Sequence, residues 1–432
     1  MFVCMFWTVM LAMSLGQRHD RAKAVLMVFM LVATILYFGH HVFFMHQTGL
    51  LPWSDTAYVG ANLAVYPLYL IYILQLTTRS VRRYWHLCWL LPSLVGMVTV
   101  GVLYSRMSAA DLDVFICEYL YFGHTSTLEG MPYVQAVVHD VCKVVFAIEI
   151  VPVLFVGRRQ IRRFDIRVLS NYSDVEDKML THMHTLLIFF VITAAISFAS
   201  NIVGRHRFDE PGSLLIVLPS VTFSVLLFAL GYVGYMQNFG IKELEEETLI
   251  DDDEPLPVVK PRHHRPQRVR HRMPVLPSVE SRHEQAAGAN DATGSPAEKP
   301  TAGEAPAMID VDGHDDEYDV VALRQRLDTL MVEKQFYLTP NLKLADLVKQ
   351  LHSNRNYVYN VINRDMGVSF SEYVNRLRLK HALRLMEEQP TLAHNEVAEL
   401  SGFASMTSFY RNFKLYMGCS PKEYQNKLNQ PS

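Results

Sequence analysis

Long apolar runs recur through the first 235 residues and are separated by short polar loops. A transmembrane helix needs about 20 predominantly apolar residues, and six of the seven runs reach that length. The first run is shorter, and no basic residue precedes it as in a signal peptide. We therefore predict an N-terminal polytopic bundle of seven transmembrane helices over residues 1–15, 24–46, 56–76, 85–104, 132–156, 184–203 and 213–235.

The pattern changes after residue 317, where apolar residues recur at spacings of three and four, the period of an amphipathic helix. Two stretches, 342–365 and 392–417, each show a helix, a short turn and a second helix, which is the helix-turn-helix arrangement. Ser369 is a good N-cap for a long helix over 370–386 that joins them. We therefore predict an all-α protein whose C-terminal domain holds two helix-turn-helix motifs.

Between these regions, residues 236–316 have few apolar side chains, many prolines and blocks of like charge, a composition typical of disorder. Residues 242–250 allow the last span to continue briefly as a polar helix. The basic tract 260–272 either attracts anionic lipid or DNA, or is a solvated tract offset by the acidic block before it. The predicted domains are thus 1–235, a disordered linker 236–316, and 317–432.

Composition supports this division. The 432 residues are 50% hydrophobic and 19% charged, against about 25% charged in typical soluble domains, and the net charge is −3. The three predicted segments carry net charges of +2, −8 and +3. A single soluble globular domain is therefore excluded. The five cysteines show no pairing or Cys/His ligand spacing, so we predict neither a disulfide framework nor a metal site, and no cofactor.

Loop charges predict the orientation of the bundle. Basic residues concentrate in the loops after spans one, three and five, whereas the loop after span two has none and the loop after span four is mainly acidic. Because cytoplasmic loops are enriched in Lys and Arg, the N-terminus is expected outside and residue 236 in the cytoplasm.

Span five contains three ionisable residues, Asp140, Lys143 and Glu149. Ionisable residues within a membrane span are functional candidates by default, so these three are candidates for sensing a signal. Asp140 and Lys143 are three residues apart and share a helix face. The alternative, that they form a structural pair or point into the membrane interface, stays open.

The C-terminal region contains the string VAELSGFASMTSFYRNFKLYMGCSPKEYQNKL, which resembles the signature of AraC-type transcriptional regulators. The similarity extends upstream and covers about 110 residues. It implies a domain of two helix-turn-helix motifs that binds double-stranded DNA in a bacterial cell. The residues that carry the resemblance are Gly402, Phe403, Phe409, Phe413, Lys414, Gly418, Pro421 and Tyr424.

The second helix of each motif offers polar side chains suited to DNA. Asn pairs well with adenine and Arg with guanine in the major groove. The candidates for reading bases are Asn354, Arg355, Asn356 and Asn360 in the first motif, and Ser405, Ser408, Arg411 and Asn412 in the second. The candidates for phosphate contacts are Arg364, Arg376, Arg378, Lys380 and Lys414. For any single residue the alternative is a charged side chain that only solvates the domain.

Two functions are compatible with the sequence. The first is a membrane-anchored transcription regulator of the bacterial cytoplasmic membrane, with double-stranded DNA, membrane lipid, a second copy of the chain and an unidentified signal or ligand as partners. The second is a membrane transporter or enzyme with an autoregulatory DNA-binding tail. We expect the first, and no enzyme, because the chain has no HExxH, GxSxG or Walker A motif.

Overall fold

The computed structural model describes residues 1–17, 20–78, 85–203, 214–237, 239–246 and 315–428. It divides into two compact units. The first comprises Met1–Leu169 and Val175–Asp251, and the second comprises Ser170–Asp174 and Asp252–Ser432. Most of the predicted linker, residues 247–314, lies outside the described residues, and the predicted domain boundaries stay predictions.

The first unit is built of helices, and each of the seven predicted spans overlaps one of them, although the span 85–104 begins before its α-helix and the span 24–46 ends beyond its own. A 3₁₀ segment, Trp85–Leu90, precedes the fourth helix, and a π-helical turn, Phe115–Tyr121, follows the fifth. The helices are α1 (Phe2–Gln17), α2 (Arg21–Phe44), α3 (Leu51–Thr77), α4 (Leu91–Arg106), α5 (Ala109–Val114), α6 (Gly130–Asn171), α7 (Thr181–Val203), α8 (Leu214–Met236) and α9 (Ile241–Glu246).

Four stretches of the described chain are long and apolar enough to cross a membrane, by length and composition. They are Arg21–Phe44, Thr48–Thr77, Cys88–Arg106 and Val221–Leu244. Phe2–Gly16 and Thr181–Ile196 are apolar but shorter. The number of seven spans therefore stays a prediction.

Helix α3 is the centre of the first unit. Its residues are buried almost without interruption from Val59 to Thr77, and Tyr66 and Tyr69 pack against phenylalanine rings of other helices. The outer faces of the unit are apolar as well, as the exposed side chains of Val98, Ile148 and Phe155 illustrate. Exposed apolar surface of this extent marks a site of interaction with a membrane or with another protein.

In the described part of the second unit the regular secondary structure is helical, apart from one antiparallel bridge between Tyr172 and Lys343. This confirms the predicted all-α class for the described residues. Its helices are α10 (Asp315–Asp328), α11 (Leu344–Leu351), α12 (Arg355–Asn360), α13 (Phe370–Glu388), α14 (His394–Leu400), α15 (Met406–Met417) and α16 (Pro421–Leu428).

Helix α13 supports both helix-turn-helix motifs. Phe370 and Val374, near its beginning, belong to the apolar cluster of α10, α11 and α12. Leu379, Ala382 and Met386, further along, belong to the cluster of α14 and α15. One rigid helix thus holds both motifs.

Candidate nucleic-acid interface

The first motif consists of α11, a turn and α12. His352 ends α11 in the left-handed conformation, with φ of 45°. Asn354 then caps α12, because its side-chain oxygen accepts a hydrogen bond of 2.8 Å from the backbone N–H of Asn356. A π-helical turn, Val361–Asp365, extends α12. We call α12 together with this turn the first recognition helix.

The second motif consists of α14, a turn and α15, which we call the second recognition helix. Gly402 adopts φ of 81° in the turn. Ser405 caps α15 by accepting a hydrogen bond of 3.1 Å from the backbone N–H of Ser408. The helix ends at Gly418, which is again left-handed. Both recognition helices therefore begin after a residue type that is preferred at the N-cap.

Most of the predicted DNA contacts lie at the surface of the second unit. Two of the predicted base-reading residues, Asn356 and Asn360, are half-buried. The exposed ones are Asn354, Arg364, Arg376, Lys380, Ser405, Arg411 and Lys414. Two tyrosines that sequence reasoning missed, Tyr357 and Tyr410, are 46% and 38% exposed on the recognition helices. Residues 357, 360 and 364 are spaced to share one helix face. This spacing could have placed Tyr357 beside the predicted DNA contacts Asn360 and Arg364.

Three predicted base-reading residues are buried, which corrects the expectation that they are exposed. Asn412 faces inward, where its Nδ2 donates a hydrogen bond of 2.9 Å to the Ser408 carbonyl. Arg355 donates a hydrogen bond to the Asn171 side-chain oxygen. Ser408 donates one of 3.3 Å to the Asp174 carboxylate. Asn171 and Asp174 belong to the short segment 170–174 of the second unit.

Arg378 also departs from its prediction, because its side chain has no exposed surface. Its guanidinium donates to the carbonyls of Tyr337 and Thr339, at 2.8 and 2.7 Å, and to the Asp174 carboxylate at 3.0 Å. Burial lowers the pKa of Arg378, and the charge of Asp174 opposes this. This corrects the prediction of a phosphate contact. Arg378 is a buried residue whose hydrogen bonds join α13 to the chain before α11.

Arg376, in contrast, is exposed at the surface of the second unit. Its guanidinium donates to the Glu372 carboxylate at 2.5 Å and lies 5.8 Å from the ring centroid of Tyr416. The pair is partly exposed. An exposed ion pair is worth about 0–1 kcal/mol, so a phosphate can compete for this arginine at little cost.

In the first unit, Asp140 and Lys143 form the ion pair that their spacing predicts, at 2.9 Å. The hydroxyl of Tyr119 donates to Asp140 at 2.6 Å and accepts from Lys143 at 3.0 Å. Both charged side chains are 39–53% exposed. This geometry favours the alternative of a structural pair.

A second polar cluster in the first unit is buried, and sequence reasoning missed it. The Asp55 carboxylate lies 2.7 Å from Nε2 of His139 and accepts a hydrogen bond of 2.8 Å from the hydroxyl of Tyr104. Asp55 is only the fifth residue of α3, so the cluster lies near the beginning of that helix. The signal in the sequence was Asp55, an acidic residue directly before the predicted span 56–76.

Glu149 lies ten residues beyond His139 on α6, a rise of about 15 Å. Its carboxylate is buried, and neither oxygen has a hydrogen-bond partner within the described part of the chain. It lines a cavity of about 340 Å³ together with Cys88, Trp89, Pro92, Val145 and Ile148. No cluster of three His, Cys, Asp or Glu side chains that could hold a metal occurs among the described residues.

Comparison with known proteins assigns the C-terminal part. A family model described as a helix-turn-helix domain matches residues 347–427. The Msm operon regulatory protein of Streptococcus mutans is 30% identical over 88 residues, which are 20% of this chain and 31% of that protein. The uncharacterized transcriptional regulatory protein YesN of Bacillus subtilis is 34% identical over 90 residues, 20% and 24% of the two chains. The melibiose operon regulatory protein of Escherichia coli is 29% identical over 89 residues, 21% and 29%.

The chain spans about a quarter to a third of the length of these three relatives. No solved structure matches the chain. The matches support the resemblance drawn from the sequence: residues 347–427 are a helix-turn-helix domain similar to those of the regulators named above.

Proposed function

We propose that this protein is a membrane-anchored, sequence-specific transcription regulator. The helical first unit lies in the cytoplasmic membrane of a bacterium and senses a signal, and the second unit binds promoter DNA in the cytoplasm. The observation that carries the proposal is the pair of helix-turn-helix motifs on the shared helix α13. The regulators that resemble this domain support it.

Each recognition helix is suited to the major groove of double-stranded DNA. Arg411 in the second helix has the fork of donors that fits guanine, and Asn356 in the first has the amide that fits adenine. The exposed cations Arg364, Lys380 and Lys414 contact phosphates, and these contacts set affinity and register without reading sequence. Because both recognition helices pack against α13, they read neighbouring segments of one binding site.

Membrane anchoring is supported by the four long apolar stretches and by the apolar outer face of the first unit. The charge bias of the loops supports an outside N-terminus and a cytoplasmic second unit. A DNA-binding domain must face the cytoplasm to reach DNA. The orientation derived from charge and the function derived from the domain therefore agree.

Glu149 is the best-supported sensing residue. A buried carboxylate with no hydrogen-bond partner is costly unless a ligand or a proton neutralises it. The apolar cavity beside it suits a lipophilic amine whose cation pairs with the carboxylate. We expect straight-chain alkylamines, from octylamine to dodecylamine, to raise the thermal midpoint of the purified protein. E149Q should abolish this shift. E129Q, which changes an exposed glutamate just before α6, is the control and should keep it. An unchanged shift in E149Q would exclude this site.

DNA binding is tested in two steps. Chromatin immunoprecipitation with sequencing should enrich discrete sites, and a lack of enriched sites would contradict the proposal. On the enriched site, R411A should lose about 1–3 kcal/mol of binding and relax specificity at one base position. K414A should weaken binding to all sequences alike and lower the salt slope by about one. K427A, which removes an exposed lysine from α16, is the charge-matched control and should bind as the wild type does.

A further inference from the structure

The segment Ser170–Asp174 belongs to the second unit, although the chain on both sides of it belongs to the first. All five of its residues are buried, with Ser173 only 1% exposed. A polar sequence, Ser-Asn-Tyr-Ser-Asp, is buried in this way only where it finds polar partners. The partners identify what the segment does.

The backbone of the segment pairs with the chain that precedes α11. The N–H of Ser173 donates to the carbonyl of Leu342 at 3.0 Å, and Tyr172 forms an antiparallel bridge with Lys343. The ammonium of Lys343 lies 5.9 Å from the ring centroid of Tyr172. The backbone contact is thus a single isolated bridge supported by a hydrogen bond.

A polar stripe on α13 receives the other side of the segment. Ser371, Asn375 and Arg378 are spaced by four and three residues and therefore share one face of the helix. The Ser371 hydroxyl and the Asn375 amide both donate to the Ser173 carbonyl, at 3.0 and 2.9 Å. Arg378 donates to the Asp174 carboxylate at 3.0 Å. The stripe is thus a built site for a Ser-Asp dipeptide.

The segment also engages one residue of each recognition helix. Arg355 of the first is bonded to Asn171, and Ser408 of the second is bonded to Asp174 at 3.3 Å. A side chain held in this way does not reach a base edge. A segment that bonds both motifs and α13 at once also fixes the two recognition helices relative to each other.

We infer that the helix-turn-helix domain has a peptide-binding groove, formed by Leu342, α13 and the two recognition helices, whose occupant is segment 170–174 of the same chain, and that this occupant holds the domain in a state of low DNA affinity. The inference rests on the proposed function. Release of the segment breaks the bonds that Arg355 and Ser408 make to it and removes a carboxylate from a surface that DNA phosphates approach. Because the segment is continuous at both ends with the first unit, a change in that unit has a direct covalent route to the DNA-binding surface.

The test uses the full chain in lipid nanodiscs and two isosteric substitutions that remove the same charge. D174N weakens the bonds to Arg378 and Ser408, whereas D177N changes an exposed residue three positions further on. N171A removes the bond to Arg355. All three changes lie outside residues 315–428, and Arg378 retains its bonds to Tyr337 and Thr339 in each variant.

Hydrogen exchange measures docking without reference to DNA. We expect slow exchange over residues 170–174 and 339–343 in the wild type and D177N, and at least tenfold faster exchange at Ser173 in D174N. DNA affinity on an enriched site should rise at least about fivefold in D174N and also in N171A, the lower end of typical coupling between sites. D177N should bind DNA as the wild type does.

Fast exchange of the segment in the wild type would overturn the groove. Equal DNA affinity in the wild type, D174N and N171A would overturn the inhibitory role. If no variant binds DNA while D174N still accelerates exchange, the groove stands and the proposed function fails. If D174N loses protection throughout α13, the domain itself has unfolded, and N171A then decides.

Discussion

At the scale of single residues, Gly402 has little room for a side chain. Its φ is 81°, and a Cβ added there would lie 2.5 Å from the Leu338 carbonyl oxygen and 2.6 Å from the Leu338 Cα. Gly367, in the turn before α13, has φ of 70° but nothing within 4 Å of the same position. The two glycines therefore separate the cost of a left-handed backbone from the cost of a steric clash.

We predict that G402A destabilises the second unit by about 2–5 kcal/mol, because the left-handed conformation costs about 1–2 kcal/mol and backbone atoms must also shift. G367A should cost only about 1 kcal/mol, since it meets the first cost alone. Hydrogen exchange of the slowest α13 amides in the full chain measures both values. Equal losses in the two variants would show that contact with Leu338 does not matter.

We expect His381 to make the stability of the second unit depend on pH. Its Nδ1 lies 3.2 Å from the Tyr337 hydroxyl and 3.3 Å from the Arg384 guanidinium. Burial, and then the charge of Arg384, lower its pKa below the ordinary value of 6.5. The unfolded chain therefore binds a proton at a higher pH than the folded chain does.

Because the unfolded state binds more protons between the lowered pKa and 6.5, stability should fall as the pH falls through that window and level off below it. We predict that H381Q loses less stability than the wild type between pH 7 and pH 5. The difference should be small, because the side chain is half-exposed and screened by solvent. R384A should show part of the same effect. Denaturant unfolding followed at several pH values measures it, and identical pH profiles for all three proteins would contradict it.

At the scale of elements, α13 shows what a sequence pattern can and cannot predict. Its apolar stripe, including Phe370 and Val374, was predictable because burial of apolar side chains repeats with the helix period. The polar stripe of Ser371, Asn375 and Arg378 was not, because polar residues at the same spacing are more often solvated. Its burial depends on segment 170–174, which is distant in sequence and has no pattern of its own.

The recognition helices repeat this contrast. Their starts at Asn354 and Ser405 were predictable because capping is local chemistry. The inward direction of Asn412 and the engagement of Arg355 were not, because they depend on tertiary contacts. The long apolar helices of the first unit were predictable from their apolar runs. The buried pairing of Asp55 with His139 was not, because it depends on which helices are in contact.

We predict that Asp55, which bonds His139 of α6, contributes more to stability than Asp140, the next residue on α6. D55A leaves the Tyr104 hydroxyl and the His139 ring without their buried acceptor, at a cost of about 1–3 kcal/mol for each group. D140A removes a partner from a half-exposed pair, and Lys143 and the Tyr119 hydroxyl still bond each other. We expect the thermal midpoint in one detergent to fall by roughly 5 °C or more in D55A and by much less in D140A. A larger drop in D140A would mean that the exposed pair is the one that holds the helices together.

At the scale of the whole molecule, orientation is the property on which the proposed function depends most. The loop between the predicted spans four and five, residues 105–131, carries one basic residue against four acidic ones, which favours the outside. Cys117 lies in this loop on the π-helical turn, and its side chain is exposed. Cys419 lies in the C-terminal domain, beyond α15, and is partly exposed. These two native cysteines lie on opposite sides of the membrane if the predicted topology is right.

We predict that a membrane-impermeant maleimide labels Cys117 in intact cells, in a variant whose other four cysteines are replaced by serine. A variant that retains only Cys419 should be labelled after the cells are permeabilised and not before, because the reagent then reaches the cytoplasm. The second variant also shows that the cells were sealed. The reverse pattern would place the DNA-binding domain outside the cell, and no arrangement of recognition helices would then allow it to regulate transcription.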